Sequence, residues 1–200
     1  WKLGAHISSG SMARSKVTVI ALTPVITDAR GAGFVAVTCG KLGVVLFQFP
    51  PWFVPGLAQM DYLLACKERL PSYHLAVEFR NNRWLSEQSR ASTLGFLRQH
   101  QLAFVCVDEP QGFTSSVPPL GDVTTDTGVI RFHGRKAETW AKKNSTTGER
   151  FDYYYTDGEL APWAARIKEC SATTSEVHVL FNTNNGDQGV VNARLMARLL

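Results

Sequence analysis

Long apolar runs are missing from this 200-residue chain. The stretch 17–25 is bracketed by Lys16 and Asp28, well short of the about eighteen apolar residues that mark a bilayer-spanning helix, so no membrane segment is expected. Cysteine is scarce. Cys39, Cys66, Cys106 and Cys170 form no Cys-x-x-Cys pair, which excludes a zinc knuckle and a small disulfide scaffold. Cys66, Cys106 and Cys170 sit among apolar neighbours, where a thiol behaves as a small hydrophobe. A reducing, cytoplasmic setting is the simplest expectation. There is no basic run or stripe, and the excess of 21 Lys and Arg over 17 Asp and Glu leaves a net charge of +4. That charge permits an anionic ligand and does not favour nucleic acid. No Gly-x-Gly-x-x-Gly or phosphate-loop sequence follows a strand, no His-Glu-x-x-His occurs, and no repeat or low-complexity segment is visible.

What is present is an ordinary globular composition, 44% apolar and 19% charged, long enough for one domain with a sizeable core. Residues 1–13, with Ser8-Ser9-Gly10-Ser11-Met12, read as a tag remnant or a discontinuous leader and are set aside. Residues 14–200 read as one domain. Five short apolar runs suit strands of a sheet covered on both faces: Gly43–Phe49, His74–Arg80, Leu102–Asp108, Val129–His133 and Val177–Asn182. Between them lie helical patterns. Leu57, Met60, Leu63, Leu64 and Cys66 recur at helix spacing before Pro71, and 84–99 is a weaker pattern. Thr156 with Glu159 spells a capping box ahead of Leu160, Trp163, Ala164 and Ile167. A last helix follows Asp187. The stretches 109–127 and 134–155 read as long loops, a frequent place for function. The alternation of strand and helix predicts a parallel α/β protein, either an open sheet or a closed barrel.

Side chains alternate along a strand, and polar groups collect at the C-terminal ends of these five. Glu78 and Arg80 share one face of theirs, and Arg131 and His133 share one face of another. Gln48, Asp108 and Asn182 end the remaining three. A packed interior topped by a reactive face is the pattern of a (β/α) barrel. His6, His74, His100 and His178 are read as structural. Trp140, Phe151 and the run Tyr153-Tyr154-Tyr155 supply rings that wall a pocket or anchor its loops.

The segments Gly40–Phe53, Leu75–Arg80 with Trp84, Phe104–Gly112, Val129–Arg135 with Trp140, Tyr154-Tyr155 with Glu159-Leu160, and Phe181-Asn182 with Asn192-Ala193 together resemble the DUF72, or YecE-like, family. The resemblance covers roughly residues 40–200. It implies a TIM-type (β/α) barrel in which the five strands are the fourth to eighth. The family's Gly-Thr-Ser-Gly-Trp-type and Val-Glu-Ile-Asn-type opening strands are absent from this chain, and Val17–Leu22 is a candidate substitute. No reaction comes with the resemblance.

The expected function is that of an enzyme acting on a small polar or anionic substrate, with phosphoester or glycoside hydrolysis the first classes to test. Glu78, Asp108 and His133 are the expected acid–base groups. Gln48, Arg80, Arg131, Arg135, Trp140, Tyr155 and Asn182 are the expected substrate contacts. No cofactor is expected. The alternative makes Glu78, Asp108 and His133 ligands of a divalent metal serving an isomerase or hydrolase. A third reading is a non-enzymatic binder of nucleic acid or another polyanion, recognisable by steep salt dependence.

Overall fold

The computed structural model describes residues 6–8, 16–21 and 43–200 except 143. The rest of the 1–13 leader and Cys39 lie outside the described residues. The expected five strands are all present: β3 (Val45–Gln48), β4 (Leu75–Glu78), β5 (Ala103–Asp108), β6 (Thr127–Phe132) and β7 (Glu176–Phe181). They lie side by side and parallel, in chain order. The candidate substitute strand exists as β2 (Lys16–Ala21), which pairs parallel with β7 in the register Lys16 to Glu176 through Ala21 to Phe181. Strand β1 (His6–Ser8) adds antiparallel to β2 at the outer edge.

The closed TIM-type barrel is not what forms. Among the described residues the sheet is an open half-barrel running from β1 to β3, and those two end strands do not pair with each other. Closure needs a strand number, tilt and register stagger that agree around the whole ring, and the described strands do not complete one. Burial along β7 records the consequence. Val177, Val179 and Phe181, under the helices, are fully buried, while His178, Leu180 and Asn182, on the inner face, are only partly covered.

Helices α1 (Leu57–Arg69), α2 (Arg90–Gln99), α5 (Asp157–Ser171) and α6 (Gln188–Leu199) supply the main outer layer. The expected helix over 84–99 is split. Asn81 turns the chain by accepting the Arg83 amide at 3.0 Å, and a 3-10 turn follows over Asn82–Leu85. The Trp84 indole donates to the Phe53 carbonyl at 2.7 Å, and Thr93 donates to the Trp84 carbonyl at 2.7 Å. Pinned at both ends, Trp84 stacks between Phe79 and Phe53 with centroids at 4.3 and 5.6 Å. Tertiary packing of one large ring thus overrides a continuous helix. The expected loop over 134–155 contains two single-turn helices, α3 (Ala137–Trp140) and α4 (Thr147–Arg150).

Helix α5 begins as its sequence predicts. The Thr156 hydroxyl accepts the Glu159 amide, and the Glu159 carboxylate accepts the Thr156 amide at 2.8 Å, closing the capping box. Its buried stripe of Leu160, Trp163, Ala164 and Ile167 covers the outer face of the sheet, where Phe132 meets Trp163 at 5.4 Å and Phe181 at 4.6 Å. Replacing Thr156 by alanine removes the cap. An expected loss of about 1 kcal/mol in urea-induced unfolding checks this.

Candidate functional site

Alternation decides which strand-end groups meet. Glu78 on β4 and Arg131 on β6 point inward, and His133 continues the inward parity just past β6. Glu78, Arg131 and His133 are all buried. Arg131 uses one nitrogen, Nη1, to donate to Glu78 and, at 2.9 Å, to the Gln48 Oε1 of β3. His133 Nε2 lies 3.0 Å from Glu78 Oε1, and the Asn182 amide lies 3.2 Å from His133 Nδ1. With Glu78 ionised, this network assigns the proton to Nε2, so the imidazole donates to the carboxylate and its Nδ1 accepts from Asn182. Gln48, Glu78, Arg131, His133 and Asn182 therefore form one connected group spanning β3 to β7.

Arg80 extends the group. Its Nη1 lies 3.3 Å from Glu78 Oε1 and 2.6 Å from Glu109 Oε2. Glu109 was not among the sequence candidates, and it is 2% exposed. Its signal was in the register: Ala103, Val105, Val107 and position 109 share the inward face of β5, whereas Asp108 belongs with Phe104 and Cys106. The expectation that placed Asp108 in the pocket sets it opposite Ala103, Val105 and Val107 and takes its own face as the inner one; every residue of β5 is buried, so its pattern does not tell the inner face from the outer.

Asp108 accordingly turns to the helix layer. The Trp163 indole of α5 donates to its Oδ2 at 2.6 Å and the Tyr155 hydroxyl to its Oδ1 at 2.7 Å, while Arg135 donates to both oxygens at 2.9 and 2.7 Å. The hydroxyl of Tyr155 in turn accepts the Gly134 amide at 2.9 Å. Gly134 has φ +83, and a Cβ there would stand 2.6 Å from the Cβ of Tyr153, so only glycine permits the turn that sends His133 inward and Arg135 outward. Asp108, Arg135 and Tyr155 thus form a second cluster, which fastens α5 to the strand ends. All the hydrogen bonds that Asp108 accepts there come from groups on other elements.

Aromatic rings from the 134–155 segment roof the inner cluster. The Arg80 guanidinium lies 4.7 Å from the Trp140 ring centroid, and His133 packs 5.6 Å from Phe151 and 6.3 Å from Trp140. A cation against a ring face is held electrostatically, and the rings keep water from the carboxylates beneath.

Environment separates the two inner carboxylates. Burial alone would raise Glu78, but Arg131, His133 and Arg80 outweigh it and hold the group well below the usual carboxylate range. Glu109 is raised to about 7 by burial; Arg80 and the Val117 amide oppose the rise, and the nearby Glu78 and Asp108 add to it. His133 is lowered to about 4 by burial, against the pull of Glu78, so its ring is neutral at pH 7. Among the described residues no group of three or more His, Cys, Asp and Glu side chains is arranged to hold a metal. The alternative ligand set fails on its geometry, since Asp108 faces away from Glu78 and His133, which are bonded to each other.

Two expectations follow for stability. Asp108→Asn leaves Arg135 without its carboxylate partner and forces an amide against two donors. Unfolding in urea should show a loss of about 3 kcal/mol. Glu109 behaves oppositely with pH. Its folded value of about 7 lies above its ordinary 4.5, so its contribution is full below 4.5 and is lost as pH rises through 7. His133 runs the other way, its contribution present above 6.5 and lost as pH falls through 4. The stability of the wild type relative to Glu109→Gln should therefore fall by roughly 3 kcal/mol between pH 4.5 and 8. A pH-independent difference in urea unfolding would contradict the assignment.

The profile of the family described as "Protein of unknown function DUF72" matches residues 25–200. UPF0759 protein YunF of Bacillus subtilis (strain 168) is 35% identical over 164 residues, covering 80% of this chain and 58% of that protein. A crystal structure of a DUF72 family protein from Enterococcus faecalis V583 superposes with a TM-score of 0.75 at 33% identity, over 80% of this chain and 59% of the other. One from Thermotoga maritima MSB8 gives 0.67 at 37%, over 78% and 56%. The chain thus spans somewhat more than half the length of the relatives it matches.

Proposed function

The chain belongs to the DUF72 family, and on that footing we propose that its inner cluster is the acid–base site of an enzyme acting on a small polar or anionic substrate, with hydrolysis of a glycosidic or phosphoester bond as the reaction class. One observation carries this reading: two buried carboxylates, Glu78 and Glu109, meet at the same nitrogen of Arg80, yet burial raises the proton affinity of Glu109 while Arg131, His133 and Arg80 outweigh burial at Glu78 and lower its own. Pairs separated in this way divide the roles of acid and base between them.

Glu109 is the proton donor. It has one guanidinium and one backbone amide as partners, the latter at 2.8 Å from Val117, and a value of about 7 lets it hold and release a proton near neutrality. Glu78 stays ionised and stabilises positive charge developing on the substrate or on an attacking water. His133 and Asn182 are positioning residues, since both imidazole nitrogens are committed. Trp140 and Phe151 exclude water, which strengthens the electrostatics below them. The cluster supports this proton-transfer reading over the polyanion-binding one, because its arginines are inward, roofed and paired rather than displayed along a surface.

A panel of aryl glycosides and phosphomonoesters tests the proposal. For an accepted substrate, kcat/KM should fall as pH rises through about 7, the value at which Glu109 loses its proton. Glu109→Gln should lower kcat by on the order of 100-fold or more and remove that limb. A hydrolytic activity whose rate and pH profile are unchanged in Glu109→Gln would refute the assignment.

A further inference from the structure

Arg131 spends its donors unevenly. Nη1 donates to both Glu78 and Gln48, while Nε is buried with no hydrogen-bond partner among the described residues. The whole side chain is 2% exposed. An orphaned N–H on a buried guanidinium asks for an explanation, and a bound anion is one that would satisfy it. In a planar guanidinium the Nε–H and one Nη2–H point the same way along one edge, at the spacing of two oxygens of a carboxylate or phosphate. Glu78 and Gln48 occupy Nη1, the nitrogen that is not part of that edge.

The surroundings agree. Arg131 lies opposite Leu180 in the β6–β7 register, and the inner side chains of β7, like Leu46 and Gln48 of β3, are partly uncovered. When Glu109 is protonated, Arg80 and Arg131 face the single negative charge of Glu78, so the cluster carries an unbalanced positive charge that an oxyanion would neutralise.

We propose that the Nε–Nη2 edge of Arg131 is the anchor for an oxyanion of the substrate, a phosphate or a carboxylate group. The proposal rests on the reading of the inner cluster as a substrate site and names the chemical group that docks there. Arg135 is excluded as this anchor, because it grips Asp108 with both Nε and Nη2. Arg80 differs from Arg131 in lying against the Trp140 ring and in bridging two carboxylates, Glu78 and Glu109, through its Nη1.

The arginine Nε–H resonances of the 15N-labelled chain provide the test, with the Arg131 signal assigned by through-bond correlation and by its absence in Arg131→Lys. Inorganic phosphate and acetate are titrated separately, with chloride at matched ionic strength as control. The Arg131 signal should move saturably with phosphate, with acetate or with both, which identifies the oxyanion, and should ignore chloride. Arg131→Lys keeps the charge beside Glu78 but lacks the paired edge, so calorimetry should show at least about tenfold weaker binding of the accepted anion. An Arg131 signal unmoved by both anions, or moved equally by chloride as by an adventitious ion only, overturns the proposal. So does unchanged affinity in folded Arg131→Lys. If that variant does not fold, the wild-type titration alone decides. A Glu109-dependent hydrolysis persisting alongside a silent Arg131 signal would sink the anchor and leave the acid–base reading standing.

Discussion

The burial of the Glu78 carboxylate is the constraint around which the strand ends are arranged. A carboxylate with no solvent exposure is tolerated only if charges and donors replace the lost water. Here the replacements come from three places: Arg131 on β6, His133 just beyond it, and Arg80 on its own chain segment. Each replacement needs support of its own. Gln48 occupies the second position on Arg131 Nη1, Asn182 fixes the histidine tautomer, and Trp140 covers Arg80. One buried charge therefore recruits groups from β3, β4, β6 and β7 and from the segment after β6. Removing any single partner leaves the others facing an unbalanced interior, which is why the cluster is to be understood as a unit.

Two neighbouring residues, Asp108 and Glu109, show how the same chain segment serves two layers. Parity sends Glu109 inward to Arg80 and Asp108 outward to Trp163, Tyr155 and Arg135. The outward cluster holds α5 and the Gly134 turn in place. That turn sets the direction of His133, so the anchoring network on the helix side positions the chemistry on the inner side. Gly134 sits where the two meet, with a backbone conformation and a clearance from Tyr153 that a side chain would destroy.

Much of this was legible in the sequence, for identifiable reasons. Apolar runs of strand length gave all five strands: β4, β5 and β6 are buried on both faces and leave a continuous hydrophobic signal, and β3 and β7 are apolar although less covered. Thr156 and Glu159 announced the start of α5, because a capping box is a local interaction. Arg131, His133 and Glu78 emerged from alternation within single strands, and the structure brings them together. Asp108 was assigned to the wrong face because alternation separates the two faces of β5 without saying which is inner, and both are apolar and buried; the pairing of Val107 with Arg131 and of Asp108 with Phe132 decides it. The Trp84 turn was hidden because the Phe53 carbonyl that pins its indole comes from a distant position in the chain. Barrel closure was likewise invisible: strand runs do not say whether the first and last strands meet, and in this chain the described ones stay open.

The proton on Glu109 and an anion on Arg131 are linked by the same electrostatics. Glu109 is raised by burial against the opposing charge of Arg80. An oxyanion held in the cluster adds negative charge beside it and spends part of the positive field that would otherwise favour ionisation. Its proton affinity must then rise further, and by reciprocity the protonated protein must bind the anion more tightly. Under the proposed function this coupling has a direction. Substrate arriving as an anion keeps the donor carboxyl loaded, and departure of the anionic product releases that hold on the proton. A single arginine edge and a single buried carboxyl are enough to tie occupancy of the site to its readiness to donate.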